Sequence, residues 1–200
     1  MDTLFYSSSL HKISLPINSF SRQFNIPSGY TVDSPVSFEH PDDILEGSLC
    51  LFASQFQGGL RLPLHPVIVY FYNARGVSPS QLTPNSFRYF SSFITTCCLL
   101  GEELHPRAFL RMYRLSKNKD CSFYVFSSSE GRTFMVLSNC FGWKDSYFLF
   151  GSLTPWECQT HFVSTAPKPS SLPEVDDTAK RIIKKICSVE NPHPWKYPAG

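Results

Sequence analysis

The stretch TPNSFRYFSSFITTCCLLG, residues 83–101, gives the clearest indication of the fold. Thr83 is suited to cap a helix, Pro84 to occupy its first position, and Gly101 to follow its end. Between these ends, apolar side chains recur every three or four residues, at Phe87, Phe90, Ile94 and Cys97. The sequence therefore predicts a long amphipathic helix whose apolar stripe faces the core.

Two more helices are predicted before this one. Two acidic residues at the start and two glycines at the end predict a helix over residues 42–58. The run VIVYFY at residues 67–72 has the composition of a strand, but its position favours a helix. Pro66 suits the first helical turn and Gly76 suits the C-terminal cap, so we predict a helix here.

The pattern changes to short aromatic and β-branched runs in the second half of the chain. They predict strands over residues 121–127, 133–138 and 146–150. A fourth helix is predicted before them, over residues 105–115. The expected fold class is α+β, with a bundle of about four helices followed by a three-stranded antiparallel sheet.

Composition divides the chain into four parts. They are a flexible N-terminus at 1–24, the domain at 25–165, a Pro/Ser linker at 166–175 and an amphipathic tail at 176–200. The Ser-rich and acid-free residues 4–30 are typical of a flexible terminus and also of an organelle transit peptide. Both interpretations of this segment remain open.

The charge balance excludes a protein that binds polyanions by its overall field. There are 18 Lys and Arg residues against 16 Asp and Glu, a formal net charge of +2, so binding to nucleic acid requires a local patch. Seven irregularly spaced cysteines indicate reduced thiols in an intracellular protein, nuclear or cytoplasmic. No apolar run approaches the roughly 20 residues that cross a bilayer, so we expect no membrane association.

Two separated motifs carry a family resemblance, FQGGLRLPLHP at residues 56–66 and SQLTPNSFR at residues 80–88. With later signatures up to GWKD at residues 142–145, the chain resembles the plant gypsy-type transposon domain over residues 25–151. The resemblance implies the N-terminal domain of a retroelement protein, often labelled a transposase, and it transfers no catalytic residues. The marker positions are Gly59, Leu60, Arg61, Leu62, Pro63, Leu64, Pro84, Asn85, Ser86, Trp143 and Lys144.

Two of these markers have competing interpretations. Arg61 is expected to pair with a carboxylate or cap a helix C-terminus, and the alternative is a phosphate-binding role. Trp143 is expected to act as an aromatic plug on the open edge of the sheet, and the alternative is stacking on a ligand.

The residue pattern does not support catalysis. A transposase of the RNase H type needs an acidic triad that holds two metal ions, but only the loop residues Glu130 and Asp145 lie near predicted core strands. The tripeptides of an aspartic protease do not occur in the sequence. Cys158 and His161 form the one pair with metal-like spacing. We therefore predict no catalytic residues, no metal site and no cofactor.

A series of cations is the best candidate for nucleic-acid binding. Arg107, Arg111 and Arg114 repeat at intervals of four and three on the predicted fourth helix, and Lys117 and Lys119 follow without an intervening acid. Such a series predicts contacts to phosphates. The alternative is an ordinary solvated helix face.

The tail is predicted to bind a protein. Ile182, Ile183 and Ile186 alternate with charged residues behind the proline-rich linker, and a lone helix of this length is marginal in water. We therefore expect self-association or a protein partner to bury these side chains. The predicted function is a non-enzymatic, Gag-like interaction module. The alternatives are a DNA- or RNA-binding component of transposition and a metal-dependent transposase or nuclease.

Overall fold

A computed structural model of the chain describes residues 16–34, 47–117, 123–128, 142–163 and 174–189. Within these ranges the helices are α1 Ile17–Gln23, α2 Ala53–Gln57, α3 Pro66–Arg75, α4 Pro84–Leu99, α5 Pro106–Met112 and α6 Asp177–Ser188. The strands are β1 Tyr30–Asp33, β2 Leu49–Phe52, β3 Tyr113–Lys117, β4 Tyr124–Ser128 and β5 Tyr147–Ser152. Separate helices and antiparallel sheets confirm the predicted α+β class.

A three-stranded antiparallel sheet has β5 at its centre, with β1 on one side and β2 on the other. Val32 of β1 and Leu49 of β2 both lie opposite Phe150 of β5. Because β1 and β2 precede most of the helices, the predicted order of helices first and strands last is wrong. The early strands were missed because each is only four residues long.

β3 and β4 form a separate two-stranded antiparallel sheet. The strand predicted over residues 121–127 therefore pairs with the chain that directly precedes it, and not with β5. The strand predicted over residues 133–138 lies outside the described residues.

β2 replaces the middle of the helix predicted over residues 42–58. All four of its side chains are buried. Leu49 and Leu51 belong to the main core, whereas Cys50 and Phe52 belong to a second apolar cluster. The alternation of side chains along a strand can supply two clusters in this way. Of the predicted helix, only the segment α2 is helical among the described residues. Residues 42–46 lie outside the described part of the chain.

The helix predicted over residues 66–76 is confirmed as α3, since it begins at Pro66 and is capped by Gly76 with φ of 59°. Its Phe71 contacts Phe90 of α4 with ring centres 5.3 Å apart. Phe90 in turn stacks on Phe109 of α5 at 4.5 Å. These three rings form the centre of the main core.

The apolar stripe predicted on α4 is present with one exception. Phe87, Phe90 and Cys97 are buried, but Ile94 is only partly buried and Phe93 is buried in its place. Phe93 follows Phe90 by three residues and precedes Cys97 by four, so it continues the helical period equally well.

Both ends of the described chain pack onto this core. Phe20 of α1 is fully buried, and its ring centre lies 4.3 Å from that of Phe148. Ile182 and Ile186 of α6 are also fully buried in the main core. The expectations of a flexible segment up to residue 24 and of a tail that waits for a partner are therefore wrong for α1 and α6. A proline-rich composition predicts a break in the chain, but it does not show whether the next helix returns to the domain.

In the described part of the chain, none of the helices combines the length and the apolar character that a bilayer crossing requires.

Candidate functional site

The glycine pair in the motif at residues 56–66 lets α2 approach α4 closely. A Cβ atom on Gly58 would lie 2.3 Å from the carbonyl oxygen of Pro84, and one on Gly59 would lie 2.2 Å from Oγ of Ser91. Gly59 also has φ of +109°, a region that side chains disfavour. The pair therefore serves helix packing.

Arg61 caps α2. Its guanidinium donates hydrogen bonds to the carbonyl oxygens of Phe56 and Leu60 at 2.8 and 2.6 Å. It also lies 5.5 Å from the ring centre of Phe24. Carbonyl groups at the end of a helix lack partners within the helix, so the helix-capping interpretation of Arg61 is confirmed. The side chains on either side of it, Leu60 and Leu62, are buried in the main core.

The rest of this motif carries the chain from α2 into α3. The peptide bond between Leu62 and Pro63 is cis, and Leu64 packs partly buried against the core. The His65 side chain then accepts a hydrogen bond from the Val67 amide at the start of α3. These positions also serve the scaffold.

The motif at residues 80–88 takes part in a buried polar network. Gln55 of α2 donates to the carbonyl oxygens of Pro79 and Leu82 at 3.0 and 2.8 Å. Ser80 donates to the carbonyl oxygen of Cys50 in β2 at 2.6 Å. Gln55 and Ser80 are fully buried. Satisfied polar groups of this kind fix the relative positions of the segments that they join.

The same network reaches the chain after β5. The side-chain amide of Gln81 donates to the carbonyl oxygen of Val163 at 3.0 Å and accepts from its backbone amide at 3.1 Å. Ser78 donates to the carbonyl oxygen of Thr160 at 3.0 Å. Sequence reasoning missed these roles, because a glutamine or serine in a short connection shows no periodicity.

The start of α4 has the predicted proline, but Thr83 lies at the N-cap position without a side-chain hydrogen bond to the helix backbone. Pro84 occupies its first turn and Thr83 precedes it. The hydroxyl oxygens of Thr83 and Ser86 lie 3.2 Å apart, and Ser86 is fully buried. Asn85 is partly buried beside them.

Trp143 covers the second apolar cluster, whose buried members are Cys50, Phe52, Phe123 and Tyr147. Its ring centre lies 4.7 Å from that of Phe52 and 4.8 Å from that of Phe123. The ammonium of Lys144 lies 4.7 Å from the Phe123 ring centre, a cation–π contact. This placement supports the interpretation of Trp143 as a plug.

The predicted cation series is divided between two kinds of structure. α5 ends at Met112, so only Arg107 and Arg111 share a helix face, and the helix predicted to residue 115 is wrong beyond that point. Arg114 and Lys117 belong to β3. Because side chains three apart on a strand point to opposite faces, these two cations diverge. Lys119 lies outside the described residues.

α6 is held against the domain by a buried carboxylate. The Glu102 side chain is 2% exposed and binds Arg181 at 2.8 Å and Lys185 of the same helix. The hydrogen bond from Lys185 lowers the pKa of Glu102. The spacing of four between Arg181 and Lys185 is the sequence signal that could have indicated a common partner.

A second group of polar contacts joins the starts of α5 and α6. Asp176 caps α6 by accepting from the Ala179 amide at 2.8 Å, and this bond lowers the pKa of Asp176. The other oxygen of this carboxylate lies 3.2 Å from His105 and 3.8 Å from Arg107. α6 is therefore fixed on both of its flanks.

Two buried thiols are poorly suited to act as nucleophiles. Burial raises the pKa of Cys97 to about 11 and that of Cys158 to about 12. Since the thiolate is the reactive form, both thiols are protonated at neutral pH.

The described ranges contain no cluster of side chains suited to bind a metal ion. No group of three or more His, Cys, Asp and Glu side chains there could hold an ion. Of the pair with metal-like spacing, Cys158 is buried and His161 is exposed.

The fold and these contacts define an α+β domain in which the motif residues build a rigid scaffold and the charged helices lie on its surface. Residues 49–117 match the family described as "Putative gypsy type transposon", so this part of the chain is similar to that family. No curated protein and no solved structure matches the chain.

Proposed function

We propose that the chain is a non-enzymatic interaction module, of a structural, Gag-like kind, within a gypsy-type transposon protein. One observation carries this proposal: the motif residues are engaged in packing, capping and buried hydrogen bonds. Gly59, Arg61 and Trp143 each contact other parts of the scaffold. A motif used in this way maintains a fold, and the function then belongs to the exposed surface.

Two carboxylates among the described residues, Glu102 and Asp176, support the same proposal. Glu102 binds the cations of α6, and Asp176 caps that helix. Catalysis of phosphoryl transfer needs carboxylates that converge on an accessible metal. Glu102 and Asp176 instead hold elements of the fold together.

Self-association through the apolar side of α6 conflicts with the burial of Ile182 and Ile186. We therefore place the contacts to other molecules on exposed faces of the domain. Such contacts leave the scaffold unchanged when they form.

Sedimentation velocity of the purified full chain over a range of concentrations tests the proposal. We expect reversible self-association that changes little between low and high salt, as a structural module requires. A monomer at every concentration would overturn the Gag-like function. Association that disappears in moderate salt would contradict it as well, because it would indicate non-specific charge contacts.

A further inference from the structure

α5 and α6 lie side by side and run in the same direction. At their starts, Asp176 contacts both His105 and Arg107. At their ends, burial, Tyr89, Cys97 and, to the smallest extent, Cys187 raise the pKa of Tyr113, and the two helices contact each other. The two helices therefore present one continuous exposed surface.

Cations line both helices on this surface. Arg107 and Arg111 are exposed on α5, and Lys180 and Lys184 are exposed on α6. Residues four apart are neighbours on a helix surface, so the two lysines continue from Asp176 along the exposed side of α6. Each pair is separated by a rise of about 6 Å along its helix, at 1.5 Å per residue.

Three of the cations on or beside this surface have no ion pair among the described residues. Arg107 is near Asp176, and Lys180 binds Asp177 at 2.9 Å. Arg111, Lys184 and the exposed Arg114 of β3 have no carboxylate within 4.0 Å in the described part of the chain. The surface therefore keeps a positive excess.

The composition of this surface favours a polyanion over a protein. Protein interfaces depend on apolar or aromatic anchors that become buried. The large apolar side chains that are exposed in the described ranges are Tyr70, Leu99 and Leu153, and none of them belongs to α5, β3 or α6. Contacts to phosphates need charge and hydrogen-bond donors only.

We propose that the adjoining faces of α5 and α6, with Arg111 and Lys184 as central cations, bind the phosphodiester backbone of a nucleic acid. This inference rests on the proposed function as an interaction module and specifies nucleic acid as a ligand. The binding is independent of base sequence, because backbone contacts carry no sequence information. The proposed surface also includes α6, whereas the cation series predicted from the sequence ended at Lys119.

The test uses the full chain, a short DNA duplex and a short single-stranded RNA, with affinity measured at several salt concentrations. Variant Arg111→Gln should lower the slope of log affinity against log salt by about 0.9 on the duplex, and adding Lys184→Gln should double that change. Arg22→Gln is the matched control, because Arg22 is also an exposed arginine in the last turn of a seven-residue helix. We expect this control to bind as the parent does. An unchanged unfolding midpoint checks that the variants are folded.

Three results would overturn the inference. They are no binding of either nucleic acid at low salt, equal slopes for the double variant and the control, and displacement of the bound nucleic acid by an equal charge of polyglutamate. If the chain self-associates but fails these tests, the proposed interaction module stands without this ligand. If it passes them but stays monomeric, phosphate binding stands and the Gag-like function fails. If the double variant loses affinity for only one of the two, the RNA or the duplex, that nucleic acid is the one that the surface binds.

Discussion

The substitution Ile182→Ala tests whether α6 is part of the domain. Ile182 is fully buried in the main core, on a helix that packs against α5. Removing its side chain loses the transfer free energy of the buried atoms and leaves a cavity, so we expect the free energy of unfolding to fall by about 2 to 5 kcal/mol. Domains of this size have only about 5 to 15 kcal/mol of stability, so the effect is large.

Urea unfolding of the full chain, followed by tryptophan fluorescence and circular dichroism, measures this loss. Lys184→Ala is the matched control, because Lys184 is an exposed residue of the same helix, and it should change the free energy by no more than about 0.5 kcal/mol. Ile182→Val gives a milder case that stays folded, with an expected loss of about 0.5 to 1.5 kcal/mol. If the unfolding curves of both Ile182 variants coincide with that of the control, α6 does not contribute to the core and the reasoning is refuted.

Three further substitutions test the core, the motif and the charge contacts. Phe90→Ala should cost about 3 to 5 kcal/mol of stability, because its ring stacks on Phe109; an unchanged urea midpoint would contradict this. Gly59→Ala should cost about 1 to 3 kcal/mol through backbone strain at φ of +109°, whereas Gly29→Ala has open space and should be neutral; equal unfolding midpoints would count against the packing role of the motif. The folded-state pKa of Glu102 lies below its ordinary value of 4.5, so its contribution is present above that pH and is lost as the pH falls through the folded-state value. The free energy of unfolding should therefore fall less steeply with decreasing pH for Glu102→Gln than for the parent. Equal pH dependence of the two proteins would refute the pairing.

Local signals predicted α3 and α4 well. A proline in the first turn and a glycine at or near the end are requirements of the helix itself, so Pro66, Gly76 and Pro84 could be interpreted without knowledge of the rest of the fold. The aromatic stripe through Phe90 follows from the same helical period. These elements depend on contacts within a few residues.

The remaining elements depend on contacts between distant parts of the chain. β2 is a strand because Leu49 and Cys50 are buried against different clusters, which no local pattern reveals. α6 docks because Glu102, far from it in sequence, binds its cations. The predicted cations do not share one helix face, because α5 ends at Met112. Helix ends without a glycine or proline are hard to predict.

The central claim, that the chain binds and does not catalyse, is tested most directly by incubating it with a DNA duplex and Mg²⁺ or Mn²⁺. The account predicts that the duplex remains intact at every protein concentration, including under salt conditions in which the chain binds it. Cleavage or strand transfer that requires the metal, and that disappears when Glu130 or Asp145 is changed to the corresponding amide, would contradict the account.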